Sequence, residues 1–306
     1  MMIPAVIVAG ATASGKTALS IELAKRLKGE IVSCDSMQIY KGMDIGTAKP
    51  TKAEMQGIPH HMIDILEPSQ SFSVAEFCDM ARTKISEIAK REKLPILTGG
   101  TGLYIDSLIE NIDFAEETGN PDIRNELFAL SEKEGKDAVY EILLKIDPEY
   151  AKIVHPNNVK RVIRAIEFYK TTGMTVTEHN KLPKTPIYKY AYFCIAWDRE
   201  VLYDRINKRV DEMIESGLCD EARTLYEKYG RANLTALSGI GYKEFFDYFE
   251  DKKSIDEVIE EIKQGTRRYA KRQLSWFRRN DKIHWLKPDS DMVENAINII
   301  KQELSI

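Results

Sequence analysis

The chain has 306 residues, a formal net charge of −4, 43% hydrophobic and 30% charged residues. That length accommodates one large domain or two ordinary ones with a buried core. The acidic balance means that any nucleic-acid role must rest on a local basic patch.

Cys34, Cys78, Cys194 and Cys219 form no CxxC pair, and the five histidines lack zinc spacing. A disulfide framework or zinc site is therefore not expected, and reduced, mostly buried thiols fit a cytosolic protein. No apolar run approaches a membrane span, and the N-terminus enters a strand at once, leaving no room for a signal peptide. A soluble cytoplasmic protein is expected.

The apolar run at residues 3–9 predicts a buried strand. It leads into Gly10-Ala11-Thr12-Ala13-Ser14-Gly15-Lys16-Thr17, the pattern GxxxxGK[ST], and then into the helical spacing of Leu19, Leu23 and Leu27. Strand, loop and helix are the context that a phosphate-binding loop needs. The glycines let backbone N–H groups curl around an anion, the helix N-terminus adds positive potential, and Lys16 adds a formal charge. Thr17 offers a hydroxyl to Mg²⁺.

A short strand over residues 30–34 ends at Asp35 and is followed by Ser36-Met37-Gln38-Ile39-Tyr40. Residues 41–70, rich in Gly, Pro and His, read as irregular, with His60-His61 in a loop, where local hydrogen bonding is favoured over a ligand role. Val74, Phe77, Ala81, Ile85 and Ile88 then share one helical face. Residues 94–98 read as a buried strand ending in Gly99-Gly100-Thr101-Gly102. Alternating strands and helices predict a parallel sheet covered on both faces, with ligands at the carboxyl ends of its strands. That rule gathers the Gly10 loop, Asp35 and Thr101 on one rim.

From residue 121 to about 181 the signals are helical only, and residues 190–197 return to a β-rich pattern. The predicted organisation is an α/β core, 1–117 with 187–306, interrupted by an all-helical insertion, 118–186. The remainder is helical apart from a short strand near 282–285.

Several constellations carry chemistry, each beside a plainer alternative. At a strand end, Asp35 can hold a magnesium-bound water, accept a proton, or cap the next element. Position alone favours capping, and the neighbouring phosphate loop reverses that order. The Thr98–Gly102 stretch, residues 98–102, lacks the magnesium-binding acid found there in many phosphate-loop nucleotidases, which counts against ATP hydrolysis. Its glycines permit close backbone approach to a ligand, or mark an ordinary strand-to-helix turn.

Lys160, Arg161 and Arg164 share a helix face opposite Val159, Ile163 and Ile166, either a solvated basic face or an RNA contact. Arg205 and Arg209 lie four apart, aimed at the rim to neutralise a leaving phosphate or paired with Asp204, Asp211 or Glu212. Residues 267–279 hold six basic residues and three aromatics with no acid. They suit phosphate contact and base stacking, or a helix with buried aromatics and a solvated basic side.

Taken together, these blocks resemble the bacterial-type tRNA dimethylallyltransferases over residues 4–286. The resemblance rests on Gly10 to Thr17, Asp35-Ser36-Met37-Gln38-Ile39-Tyr40, Asp44-Ile45-Gly46-Thr47-Ala48-Lys49-Pro50, Pro59-His60-His61, Gly99-Gly100-Thr101-Gly102-Leu103-Tyr104, Ile240-Gly241-Tyr242-Lys243-Glu244 and Ala270-Lys271-Arg272-Gln273-Leu274-Ser275-Trp276-Phe277-Arg278. Ser275 stands where the family has threonine, and no zinc-finger extension like that of eukaryotic relatives is expected.

The resemblance implies a P-loop NTPase-like sheet and transfer of a dimethylallyl group from dimethylallyl diphosphate to N6 of the adenine next to the anticodon. It implies that the Gly10 loop cradles the diphosphate. Lys16, Thr17 with Mg²⁺, and Arg209 would offset its charge, Thr101 would bond near the bridging oxygen, and Asp35 would take the amine proton. It further implies that Asp35, Ser36, Met37, Gln38, Thr101, Arg124, Lys160, Arg161, Val162, Ile163, Arg164, Ile240, Gly241, Tyr242 and Lys243 face the tRNA anticodon stem-loop, with the enzyme a monomer. A small-molecule kinase, an enzyme that prenylates free adenine nucleotides, and a non-catalytic RNA-binding module are the rival readings.

Overall fold

The computed structural model describes residues 2–111, 120–182 and 186–305. The chain divides into two compact units, Met1–Glu110 with Pro186–Ile306, and Asn111–Thr185. The boundary expected at 117–118 lies outside the described residues.

In chain order, the first unit begins with β1 (Ile3–Ala9), α1 (Lys16–Arg26), β2 (Gly29–Ser33), α2 (Lys52–Met55), β3 (His60–His61), α3 (Val74–Lys90), β4 (Leu94–Gly99) and α4 (Gly102–Ile109). The second unit is α5 (Pro121–Glu134), α6 (Lys136–Ile146), α7 (Pro148–Ala151), α8 (Val159–Thr172) and α9 (Val176–Asn180). The first unit resumes with β5 (Tyr188–Ile195), α10 (Arg199–Glu215), α11 (Leu218–Tyr229), α12 (Phe246–Phe249), α13 (Ile255–Phe277), β6 (His284–Leu286) and α14 (Met292–Leu304).

The six strands form one sheet in the order β3-β2-β4-β1-β5-β6, and every pair is parallel. Ala5 to Ala9 are fully buried, as a strand covered on both faces must be. Val6, Val8, Ile31, Ile96 and Phe193 pack with Leu19 and Leu23 of α1 and Ile297 and Ile300 of α14. Alternation turns Ala5 and Ile7 to the opposite face, where α3 and α4 lie and Phe77 stacks on Tyr104 at 4.3 Å. A further cluster joins Ile39, Tyr40 and Met43 to Val210, Leu218, Tyr242, Phe245 and Ile262. It fixes α10–α13 beside the segment that follows Asp35. The architecture is that of P-loop NTPase-like folds. Among the described residues no helix is long and apolar enough to cross a membrane.

His60 and His61 depart from the expected loop. They form the edge strand β3, pairing with Ile31 and Val32, and the Ile31 N–H donates to the Pro59 carbonyl at 2.9 Å. A two-residue ladder is dictated by its partner strand and carries no periodicity of its own. The hydrogen bonding expected of the pair is present: His60 Nδ1 meets the Ile58 carbonyl, and His61 Nε2 meets Glu30, each at 2.8 Å. Burial holds the His60 imidazole below its usual pKa.

The second unit has its own core of Leu127, Val139, Leu143, Val154, Val162, Ile163 and Ile166. Asp147 caps α7 and accepts from both the backbone and the hydroxyl of Thr177, at 2.9 and 2.6 Å. In α8 the buried stripe includes Val162 as well as Ile163 and Ile166, while Val159 is only partly buried.

Candidate active site

The loop between β1 and α1 is shaped by its glycines. Gly10 has φ 144° and Gly15 φ 96°, values that side-chain-bearing residues rarely adopt, and Ala13 joins them at φ 60°. The helix N-terminus at Lys16 carries no side-chain cap and no acid in its first turn, leaving its N–H groups to an anion.

Neighbouring side chains pin the loop carbonyls. Trp197 Nε1 donates to the Ser14 carbonyl at 2.8 Å and Arg205 Nε to the Ala13 carbonyl at 2.9 Å. Arg205 also lies over the Trp197 ring at 4.5 Å. Arg205 is thus a loop support, whereas Arg209, one turn further along α10, lines the cavity, as does Arg272 of α13. Of the three acids that could have paired with them, Asp211 meets Lys263 at 2.7 Å and Glu212 meets Lys208 at 3.8 Å.

Because β2, β4 and β1 are adjacent, their carboxyl ends bring Asp35, Thr101 and the Gly10 loop together. Asp35 Oδ1 accepts from the Met37 N–H at 2.9 Å, closing a turn in place of capping the next element. Its carboxylate also lines the cavity with Lys16 and Thr17. Thr101 Oγ1 accepts from the Ser36 N–H at 3.1 Å and lies 3.3 Å from Ser36 Oγ. It stands behind Ser36 and is not among the cavity-lining side chains.

The cavity measures about 360 Å³ and is lined by Thr12, Ala13, Lys16, Thr17, residues 35–38, Arg209 and residues 238–243, among others. Its loop end is electropositive. Burial pushes the Lys16 ammonium down to about 8, the Arg209 charge adds to that effect, and the Asp35 charge opposes it. Burial likewise lowers Arg209. Nearby thiols stay inert: burial lifts Cys194 to about 12. Beyond Arg209 the wall is more apolar, with Met37, Val210, Met213, Leu218, Ile240 and Ile262.

The donor set fits a divalent metal of the magnesium type. Thr17 supplies a hydroxyl and Asp35 a carboxylate, both hard oxygen donors on the cavity wall. Among the described residues there is no cluster of three or more His, Cys, Asp or Glu that could hold a metal alone. A metal bound here would therefore complete its shell with phosphate oxygens and water.

Two clasps that the sequence did not suggest hold the opposite wall. Glu221 on α11 accepts from the N–H groups of Asp44, Ile45 and Gly46 at 2.8 to 3.0 Å, and from the Tyr242 hydroxyl at 2.7 Å. Gly46 is needed there, since a Cβ would fall 2.5 Å from the Tyr242 ring. Gln38 spends its side chain inside the protein, accepting from Ser33 Oγ at 3.0 Å and donating to the Thr47 and Ala48 carbonyls at 3.3 and 3.2 Å. An acid on an amphipathic helix gives no sequence signal for the first clasp. Residues 44–50 and Gln38 do fall in the blocks that carry the family resemblance.

In the second unit, Lys160, Arg161 and Arg164 are exposed on α8. Arg161 Nε donates to the Tyr150 hydroxyl at 2.9 Å. Val162 and Ile163 must be corrected: each is 1% exposed inside the unit's core, so neither side chain can meet a ligand. The 3.6-residue period turns them inward as it turns their basic neighbours out. Arg124 grips Glu167 through two bonds of 2.9 and 3.1 Å.

Comparison with known proteins finds relatives that match most of the chain. A family model described as IPP transferase matches residues 38–280. A tRNA dimethylallyltransferase of Bacillus licheniformis is 50% identical over 283 residues, covering 92% of this chain and 90% of the relative. The Bacillus subtilis protein of the same name is 49% identical over 292 residues, 94% and 93% of the two chains. Among solved structures, the full-length tRNA isopentenylpyrophosphate transferase from Bacillus halodurans aligns with a TM-score of 0.74 at 44% identity, over 99% of this chain and 98% of that one. A eukaryotic dimethylallyltransferase described as acting on tRNA aligns at 0.85 and 31% identity, over 97% and 78%. The chain belongs to the IPP transferase family, with the bacterial-type tRNA dimethylallyltransferases.

Proposed function

We propose that this protein transfers the dimethylallyl group of dimethylallyl diphosphate to N6 of the adenine next to the anticodon of tRNA, releasing diphosphate, and works in the cytoplasm. The observation that carries this reading is one cavity holding both an anion cradle, with Lys16 and Arg209, and a carboxylate, Asp35.

The cradle takes the diphosphate on the N–H groups at the start of α1. Lys16 and Arg209 offset the negative charge that grows as the allylic C–O bond breaks. The adenine amine is a weak nucleophile because its lone pair is delocalised into the ring. As the C–N bond forms, that nitrogen becomes strongly acidic, and Asp35 accepts its proton. The leaving group departs as diphosphate, so charge and atoms balance. Mg²⁺, held by Thr17 with Asp35 nearby, would supply further positive charge to the diphosphate oxygens. Thr101 fixes the turn that presents Ser36, and Gln38 fixes residues 47–48, so both act by positioning.

The adenine must leave its stack at a cost of a few kcal/mol, less in an anticodon loop than in a duplex. The 118–186 insertion would grip the stem through phosphate charge, with Lys160, Arg161 and Arg164 as contacts. The names of the relatives support tRNA as the acceptor. A kinase reading is disfavoured by the Gly99-Gly100 turn, which has no acid after β4 to hold the metal of a nucleoside triphosphate.

The test is mass spectrometry of unmodified tRNA incubated with the protein, Mg²⁺ and dimethylallyl diphosphate. A gain of one five-carbon unit on the adenine is expected, and unchanged tRNA would refute the reading. Asp35→Asn keeps an oxygen for the Met37 N–H but removes the base. It should lower kcat by about 10²–10⁴-fold with tRNA binding retained, and near-wild-type turnover would remove Asp35 from that role.

A further inference from the structure

Gln273 sits within the basic, aromatic stretch of α13, yet its side chain faces inward and is 5% exposed. Oε1 accepts from the Thr12 N–H at 2.9 Å, and Nε2 donates to the Gly100 carbonyl at 2.9 Å. A donor faces an acceptor in both bonds, so the partners dictate which way the amide points. The fit has no slack, because a Cβ on Gly100 would lie 2.1 Å from Nε2. One side chain therefore ties α13 to the phosphate loop and to the turn after β4.

This bridge also consumes a donor. The Thr12 N–H belongs to the anion loop but is already committed to Gln273. The Ser14 N–H is similarly turned to the Ala11 carbonyl at 3.3 Å. Further donors lie at the start of α1, around Gly15, Lys16 and Thr17, where the helix has no side-chain cap. A further phosphoryl group reaching towards Thr12 would have to displace the amide. That would break both of the bonds the buried amide makes to Thr12 and Gly100.

We propose that Gln273 is a specificity-determining residue: by holding the Thr12 N–H it confines the cradle to two phosphoryl groups and rejects a third. The inference rests on the transferase reading and deepens it. A loop pattern shared with triphosphate-binding proteins becomes a diphosphate site through a side chain supplied 261 positions away.

The test compares inorganic pyrophosphate with linear tripolyphosphate by calorimetry at saturating Mg²⁺. Wild type should bind pyrophosphate more tightly, although charge alone would favour tripolyphosphate. Gln273→Met keeps the volume without the bonds, and Gly100→Ala displaces the amide while leaving it chemically intact. Each should shrink the preference at least about threefold, the scale of one hydrogen bond. An unchanged preference in both variants overturns the proposal, as does a wild type that binds tripolyphosphate as tightly as pyrophosphate. The second result needs no variant to fold. A wild type that prenylates tRNA but lacks the preference overturns this inference alone, whereas one that leaves tRNA unmodified overturns the transferase reading and this inference with it.

Discussion

Raising the pH from 7 to 9 should weaken binding of dimethylallyl diphosphate and make binding take up a proton. The cause is Lys16, held at about 8 by burial first and by Arg209 second, with Asp35 opposing. With its pKa at about 8, Lys16 in the free protein passes from mostly charged at pH 7 to mostly neutral at pH 9. A bound diphosphate places several negative charges beside the ammonium and raises its pKa, so the complex stays protonated across this range. The complex therefore carries more protons than the free protein. Linkage then requires affinity to fall as pH rises through 8, approaching a tenfold loss for each further unit (about 1.4 kcal/mol). Uptake should be about half a proton at pH 8 and nine-tenths at pH 9.

The Cys194 thiol, raised to about 12, does not titrate in this window, and between pH 8 and 9 the diphosphate ester, whose last pKa lies at about 6, is fully ionised. Calorimetry in two buffers of different ionisation enthalpy reads the uptake directly. Lys16→Arg keeps a permanent charge and should abolish the uptake whatever it does to affinity. Wild-type binding at pH 8 to 9 without proton uptake, or uptake that persists in Lys16→Arg, would refute the argument.

Three other expectations concern the scaffold. Arg124→Ala leaves Glu167, only 3% exposed, without its guanidinium. Because the Arg124 side chain is 43% exposed, water offsets part of the loss and about 1–2 kcal/mol is expected. An unshifted urea midpoint would show that the pair contributes nothing. Lys160→Ala combined with Arg164→Ala should weaken tRNA binding and reduce the slope of log K against log salt by about 1–2, and an unaltered slope would show that α8 does not meet phosphates. Glu221→Gln removes the charge that gathers three N–H groups and a hydroxyl. Exchange of the Asp44, Ile45 and Gly46 amides should accelerate about tenfold, and unchanged protection would dismiss the clasp.

The elements legible in the sequence were those whose signal is local. The phosphate loop announces itself through residues that must be adjacent in the chain, and the buried strands β1 and β4 through continuous apolar runs. What escaped depends on partners far along the chain. His60 and His61 became a strand only because β2 offered them its edge. Val162 falls within a block of consecutive residues expected to meet tRNA, but helical phase decides which of those residues see solvent. Gln273 lay in a stretch whose basic and aromatic residues suggested an outward face. Its place between Ala270 and Phe277 on the buried stripe of α13 turns it inward, but only the fold reveals that Thr12 and Gly100 wait there for its amide. Glu221 resembled every other acid on an amphipathic helix until the amides of residues 44–46 arrived at its carboxylate.

The pairing of β1 with β5 constrains the order in which the protein can be made. Ile3 lies beside Tyr188, and Ala9 beside Cys194, so a nascent chain waits for the whole 111–185 stretch before the sheet can close. That stretch is contiguous and has its own apolar cluster, which suits it to fold first as it leaves the ribosome. Until β5 emerges, one side of the most apolar strand lacks its neighbour and presents an open edge to other chains. The interval of translation between the two strands is thus the period in which this protein is most exposed to misassembly.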